Sequence, residues 1–337
     1  MELLPIPVKK QPYFMTTEYS PEEPVDVVYT WVDDRQPGYR ELLQQHAIHQ
    51  RDKDPARTRD NLDTLRYSLR SLQRHAPWIN RIFILTCRPQ IPSWLDISNP
   101  RILVVHHDQV MEPVHLPTFN SLAITCHLHL LPGLSQRFIY FEDDMLLLAP
   151  VTLEDFVAPD GLQYVFEERR KAPRLEQIAN PEREGGWNLA LAHSNALLDK
   201  KYGVAARSQV NHSPILIDKN RWEETLRVFP QSLKATLRSR FRAAGNFAPD
   251  YLYLQCLLAE GKAHLVGHRQ AGNISGYVPL EDFWPVTAWS LWRLQRRRPK
   301  WVTLNDNFGS NPNKRTVTMM RRQLQSWFPE SCDFERS

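Results

Sequence analysis

The chain has 337 residues, 42% hydrophobic and 24% charged, a balance that excludes a disordered or fibrous protein and fits a soluble fold with a sizeable core. Forty-two basic against 38 acidic residues leave a net charge of +4, too even to argue for a nucleic-acid partner and no hindrance to an anionic substrate. The four cysteines, Cys87, Cys126, Cys256 and Cys332, lack metal-type spacing, so buried free thiols in a reducing cytoplasm are expected. Pro5, Pro7 and Pro12 would break a signal peptide's apolar centre, and no apolar run approaches a membrane span.

Residues 1–24 read as a proline-spaced arm. Val25 to Trp31 is β-branched and aromatic, a strand ending in Asp33 and Asp34. Leu62, Leu65, Leu69, Leu72 and Ala76 are spaced for one face of a helix over 61–76, with Asp60 or Asn61 to cap it and Pro77 to stop it. Ile82 to Leu85 and Ile102 to Val105 read as short buried strands. A second helix is predicted over Thr118–Leu131, with Phe119, Leu122, Ala123, Cys126 and Leu130 inward and Gly133 past its end. It feeds the apolar strand Phe138–Phe141, which stops abruptly at Glu142, Asp143 and Asp144. Adjacent carboxylates repel, and burying them unpaired costs several kcal/mol. A divalent cation would resolve the conflict; a solvated acidic turn is the alternative.

Strand, helix, strand, strand, helix, strand is the order of a mainly parallel sheet with helices on both faces. The carboxylate-tipped strands at 25–31 and 138–141 would open toward one edge, where such sheets bind ligands. No glycine-rich phosphate loop is present, which argues against P-loop and dinucleotide folds. Residues 151–210 are less periodic and read as a mobile or substrate-facing insertion, although 187–202 looks helical. Asp218 can cap a helix carrying Trp222, Leu226 and Phe229, and Pro249 with Asp250 opens another, closed by Gly261. Trp301 to Leu304 is a last strand, ending in Asn305, Asp306 and Asn307. A single catalytic domain over 25–310 is therefore expected, followed by a basic tail over 311–337 that reads as helical from Pro312.

Several blocks together resemble the Stealth family of sugar-phosphate transferases. They are Asp26–Asp33, Leu65–Ser71 with His75–Trp78, Ile91–Leu95, His115–Phe119, Phe138–Asp144, His212 with Pro214, and Leu304–Asn307. The blocks keep the family's order. The family includes bacterial capsule polymerases and the animal enzyme that tags lysosomal proteins with N-acetylglucosamine 1-phosphate. The resemblance implies a glycosyltransferase-A-like α/β fold with an inserted helical, substrate-facing region, and magnesium or manganese as cofactor. It also implies transfer of a hexose or N-acetylhexosamine 1-phosphate from a UDP-sugar donor to a glycan hydroxyl, releasing UMP. Glu142 departs from the animal enzyme's Asn, which makes it a neighbour of the metal rather than a ligand.

On that resemblance the metal ligands are Asp143, Asp144 and Asp306, of which magnesium needs only one or two. His212 is the candidate general base, able to accept a hydroxyl proton near neutral pH. Arg242 would clamp a phosphate oxygen. Tyr29, Thr30, Trp31 and Asp33 would receive the donor, with Asp33 also a candidate catalytic group. Arg66, Asn120, Asn305 and Asn307 complete the candidate binding set. An ordinary glycosyltransferase releasing UDP, or a non-catalytic sugar-nucleotide or glycan-binding module, are the alternatives. Trp284, Trp289, Trp292 and Trp301 interleave with Arg293, Arg296, Arg297, Arg298 and Lys300. That pattern suits either a core-facing stripe with a solvated basic side or a peripheral seat on the inner membrane, near a lipid-linked glycan acceptor.

Overall fold

The structure, a computed structural model, describes residues 23–53, 58–60, 62–181 and 184–336, so the arm read over 1–24 lies outside it up to residue 22. The first strand, β1 (Val25–Thr30), has a buried, β-branched centre and therefore sits in the middle of a sheet. After a short helix α1 (Tyr39–His46) comes α2 (Thr64–His75), whose Leu65, Leu69 and Leu72 are buried as one face. α2 starts three residues later than predicted, behind Asp63 in the left-handed region, and the Asp60 carboxylate accepts its first N–H from Thr64 at 3.2 Å.

Strands β2 (Ile82–Thr86) and β3 (Ile102–His106) add in parallel on one side of β1, and β4 (Arg137–Glu142) adds in parallel on the other. The helix predicted before β4 is cut short. α3 spans only Ser121–Thr125, capped by the Asn120 side chain, and a 3-10 turn follows at 128–130. The Thr125 hydroxyl and the His127 ring bond back to the carbonyls of Ser121 and Ala123, competing with helix continuation. Phe119 does not point inward either; it stacks on Phe241 at 5.0 Å.

After Glu142 the chain turns through Asp143 and Asp144 into β5 (Met145–Leu147), which leaves this sheet for another. Residues 151–210, read as a substrate-facing insertion with a helix over 187–202, hold that helix and further ordered, buried structure. β6 (Gln163–Lys171), α4 (Gly186–Tyr202) and β7 (Ser208–Val210) pack Val165, Leu189 and Leu191 into the core. β8 (Ile215–Asp218) closes the central sheet antiparallel to β4, giving the order β3-β2-β1-β4-β8. Asp218 caps α5 (Lys219–Val228) as expected, and α6 (Pro230–Arg238), α7 (Pro249–Ala259), β9 (Ala263–Val266) and α8 (His268–Ile274) follow.

The remaining elements build a second layer. β10 (Ser275–Leu280) and β11 (Trp301–Asp306) are parallel, with α9 (Trp284–Arg297) between them in sequence, and β5 pairs antiparallel to β11. The basic tail is helical as expected, but α10 (Lys314–Trp327) also buries Met320 and Leu324, and Phe334 is buried beyond it.

Period-two alternation sorts the central sheet between two cores. Val28, Phe83, Phe138 and Tyr140 face α4, α5 and α7, whereas Val27, Tyr29, Ile139 and Phe141 face α2. The sheet is thus mainly parallel and covered on both faces, as the element order predicted. Thr30 and Glu142 are paired at its carboxyl edge, so the two acid-tipped strands do open side by side.

Candidate active site

The acidic turn is where the chain leaves one sheet for another. Glu142 is the last residue of β4, while Asp144 belongs to the second layer because its carbonyl accepts the Leu304 N–H at 2.9 Å. His212, in the loop between β7 and β8, comes down on the same side. Its Nε2 lies 3.2 Å from a Glu142 carboxylate oxygen, and its carbonyl accepts the Thr303 hydroxyl at 2.6 Å. One ligating atom from each of Glu142, Asp144 and His212 falls within 4.8 Å of the others. The notch stays open to solvent: the Glu142 and His212 side chains keep 41% and 30% of their surface exposed.

The electrostatics of this group are those of excess negative charge. Burial raises the Asp144 carboxyl well above the usual range, and Glu142 and Asp306 add to the rise while the His212 charge opposes it. Asp143 is raised further, by burial and then by the charges of Asp60, Asp144 and Glu142. Burial would raise Glu142 too, but the His212 and Arg242 charges outweigh it and hold that carboxyl low. Burial disfavours the charged imidazole of His212, yet Glu142 and Asp144 more than reverse this and lift it above the ordinary histidine range. Two further acids border the group. Asp60 and Asp250 are each pushed up to about 6, first by burial and then chiefly by neighbouring carboxylates.

The charge that raises the proton affinity of such a site favours any other cation in the same way. Asp144 Oδ1 is buried without a hydrogen-bond partner among the described residues, as an atom that faces a ligand would be, while His212 Nε2 has only the Glu142 carboxylate beside it. Two carboxylates and an imidazole form a donor set that suits manganese, and the carboxylates alone suit magnesium. Glu142 therefore stands inside the cluster rather than beside it. Asp143 is not one of its three members, although its charge is felt there.

The other predicted residues are placed as follows. Arg242 is close enough for its charge to act on Glu142; its guanidinium donates to the Ser121 hydroxyl and lies 5.8 Å over the Trp187 ring. Asp306 ends β11 near Asp144, but both its oxygens are taken by Arg59, at 2.7 and 2.8 Å, which leaves it outside the cluster. Asp33 is likewise held by Arg35, at 2.9 Å, at the edge of β1. Trp31 donates its indole N–H to Asp60, Tyr29 bonds Ser68 in the core, and Thr30 bonds the Tyr140 hydroxyl.

Arg66 and Asn120 do not join the site. Arg66 is paired with Glu335, and Asn120 is a fully buried helix cap whose amide ties Ser239 and Asn246 to α3. Asn305 donates to Asn307, which donates to Glu281, at the rim beyond Asp306. Sequence reasoning missed Asp60 and Asp250 as neighbours of the site, taking Asp60 for a helix cap and Asp250 for a first-turn residue of α7. It also missed Thr303, Arg59 and Gly186, whose signals are contacts with residues far away in the chain.

The description "Stealth protein CR2, conserved region 2" belongs to the family model that matches residues 57–165. An exopolysaccharide phosphotransferase of Streptomyces coelicolor is 32% identical over 93% of this chain and 52% of its own length. The capsular polysaccharide phosphotransferase fcs1 of Haemophilus influenzae is 33% identical over 69% of this chain and 66% of its own. SacB, a capsular polysaccharide phosphotransferase of Neisseria meningitidis serogroup A, is 28% identical over 93% and 57%. The chain spans little more than half the length of the Streptomyces relative and of SacB. Among solved structures, the bifunctional glycosyltransferase WbbM gives a TM-score of 0.46 at 10% identity, over 95% of this chain and 53% of that one. The galactosyltransferase LgtC gives 0.41 at 11% identity, over 92% and 98%.

Proposed function

From a chain that belongs to the Stealth family, we propose a sugar-1-phosphate transferase that builds a phosphodiester-linked capsular or exopolysaccharide. The donor is a UDP-sugar, the acceptor a glycan or lipid-linked glycan hydroxyl, and the released product UMP. The observation that supports this most is the open notch where Glu142, Asp144 and His212 converge with the buried Asp144 Oδ1 unsatisfied. Magnesium or manganese held by Glu142 and Asp144 would offset the charge of a sugar diphosphate. His212 is then the residue left to take a proton, since carboxylates committed to a cation hold its imidazolium less firmly.

In the step proposed, the acceptor oxygen bonds the β-phosphorus and the bond from that phosphorus to the bridging oxygen breaks. UMP leaves with the electron pair, and the acceptor's proton passes to His212. Arg242 stands where its fork can steady a phosphate oxygen. Use of a nucleotide sugar and four free cysteines favour a cytoplasmic site of action, peripheral to the inner face of the membrane if the acceptor is lipid-linked. No helix among the described residues is long and apolar enough to cross a membrane.

The test is to incubate the protein with UDP-sugars, a divalent cation and glycan acceptors, and to analyse the nucleotide released. UMP supports the proposal. UDP would mean glycosyl transfer without the phosphate, and no turnover with any donor would favour a binding module.

A further inference from the structure

The α9 helix exposes what a soluble helix ordinarily hides. Phe283, just before it, and Val286, Trp289 and Trp292 within it recur every third residue, and they are 69%, 40%, 57% and 42% exposed. A different row of the same helix, Thr287, Leu291 and Leu294, is buried, its leucines in one core with β10, β11 and α10. The helix thus carries two apolar stripes, and the core uses only one. Trp289 and Trp292 stack at 4.7 Å, and the Arg296 guanidinium lies 4.3 Å over Trp292. A continuous exposed aromatic row on a folded protein marks a contact surface.

The charge around the row is one-sided. Arg293, Arg297 and Arg298 have no carboxylate partner among the described residues, and all three are exposed. Arg293 and Arg297, with Ser290 and the backbone at Gly272 and Gly276, line a cleft of about 210 Å³ with no acid in its wall. Two acids, Glu281 and Asp282, sit at the helix entrance and accept hydrogen bonds from Asn307, Gly309 and Asn313. A protein partner would need only the aromatic row. The arginine-lined cleft beside it calls for phosphate, and the charge match is with a surface dense in it.

We propose that this face docks the protein on an anionic lipid surface, with Trp289 and Trp292 at headgroup depth and Arg293 and Arg297 taking a lipid phosphate. The docking deepens the proposed function and rests on its membrane-borne acceptor for purpose, though not for geometry. The same strand pair serves both faces. Gly276 of β10 backs onto Leu294 of α9, and Thr303 of β11, paired with Tyr277, holds the His212 carbonyl.

Flotation with phosphatidylcholine vesicles, with and without phosphatidylglycerol, tests this on the whole chain. The protein is expected to float only with the anionic vesicles. W289A/W292A and R293A/R297A should each weaken binding by about tenfold or more. No flotation with anionic vesicles, or both variants floating like the parent, overturns the docking. Self-association abolished by W289A/W292A without any flotation assigns the stripe to a second copy and overturns it equally. UMP release with a soluble acceptor, measured on the same samples, separates the two proposals. Normal release without flotation removes the docking alone, and flotation without release removes the reaction alone.

Discussion

Glu142 is the residue whose role depends most on what surrounds it. Alone it is one carboxylate of three; beside His212 and Asp144 it completes a cluster whose charge nothing neutralises fully. We expect Glu142→Gln and Asp144→Asn each to weaken manganese binding by about a hundredfold or more, read by titration calorimetry. Asp306→Asn should behave differently, because Arg59 already holds that carboxylate and is itself largely buried. Its cost should fall on stability, about 3 kcal/mol in urea unfolding, with metal affinity little changed. His212→Ala should lower UMP release by about 10²–10⁴-fold while leaving magnesium affinity near the parent's. A matching loss of magnesium affinity would make His212 a ligand rather than a base.

At the scale of elements, the site depends on how closely helices approach it. α4 begins at Gly186, where an added Cβ would lie 2.8 Å from Arg242 Cβ. Gly186→Ala should therefore push Arg242 out of line, raising KM or lowering kcat by about tenfold or more, and it should also lower stability, because the clash is with a Cβ that cannot swing away. The segment that follows α10 is tied to α2 by Glu335, which pairs with Arg66 and, at 2.6 and 2.9 Å, with Arg70. Burial raises this carboxyl, but Arg70, the Cys332 N–H and Arg66 pull it down to about 2. An unfolded glutamate titrates near about 4.3. The tie thus adds stability above that pH and loses it as pH falls toward about 2. Glu335→Gln should cost about 3 kcal/mol at neutral pH and flatten acid unfolding in that window.

Across the whole molecule, the parts legible in the sequence are those set by local pattern. The β-branched runs at 25–30 and 82–86 became central strands, and the leucine spacing of α2 became its buried face. Alternation even carried the clue to Glu142, which continues the face of Phe138 and Tyr140 toward the side from which His212 arrives. What stayed hidden depends on distance in the chain. Arg59 meets Asp306 across 247 positions, and Arg70 meets Glu335 across 265, and no local pattern encodes either pairing. The burial of the tail and of the 151–210 segment stayed hidden for the same reason. Their buried residues find partners in elements far away in the chain.

The turn between β4 and β5 has one more consequence. Glu142 is anchored in the five-stranded sheet, opposite Thr30, while Asp144 is anchored to β11 in the three-stranded sheet β10-β11-β5. A cation shared by both side chains is therefore a clasp between two layers as well as a partner for phosphate. Binding at that one point should restrain their relative motion, and the restraint should be visible far from it. Manganese or magnesium is expected to slow amide hydrogen exchange along β10 and β11, and Asp144→Asn to abolish that slowing. In this arrangement, loading the site would also stiffen the strand pair on which the exposed tryptophan helix rests.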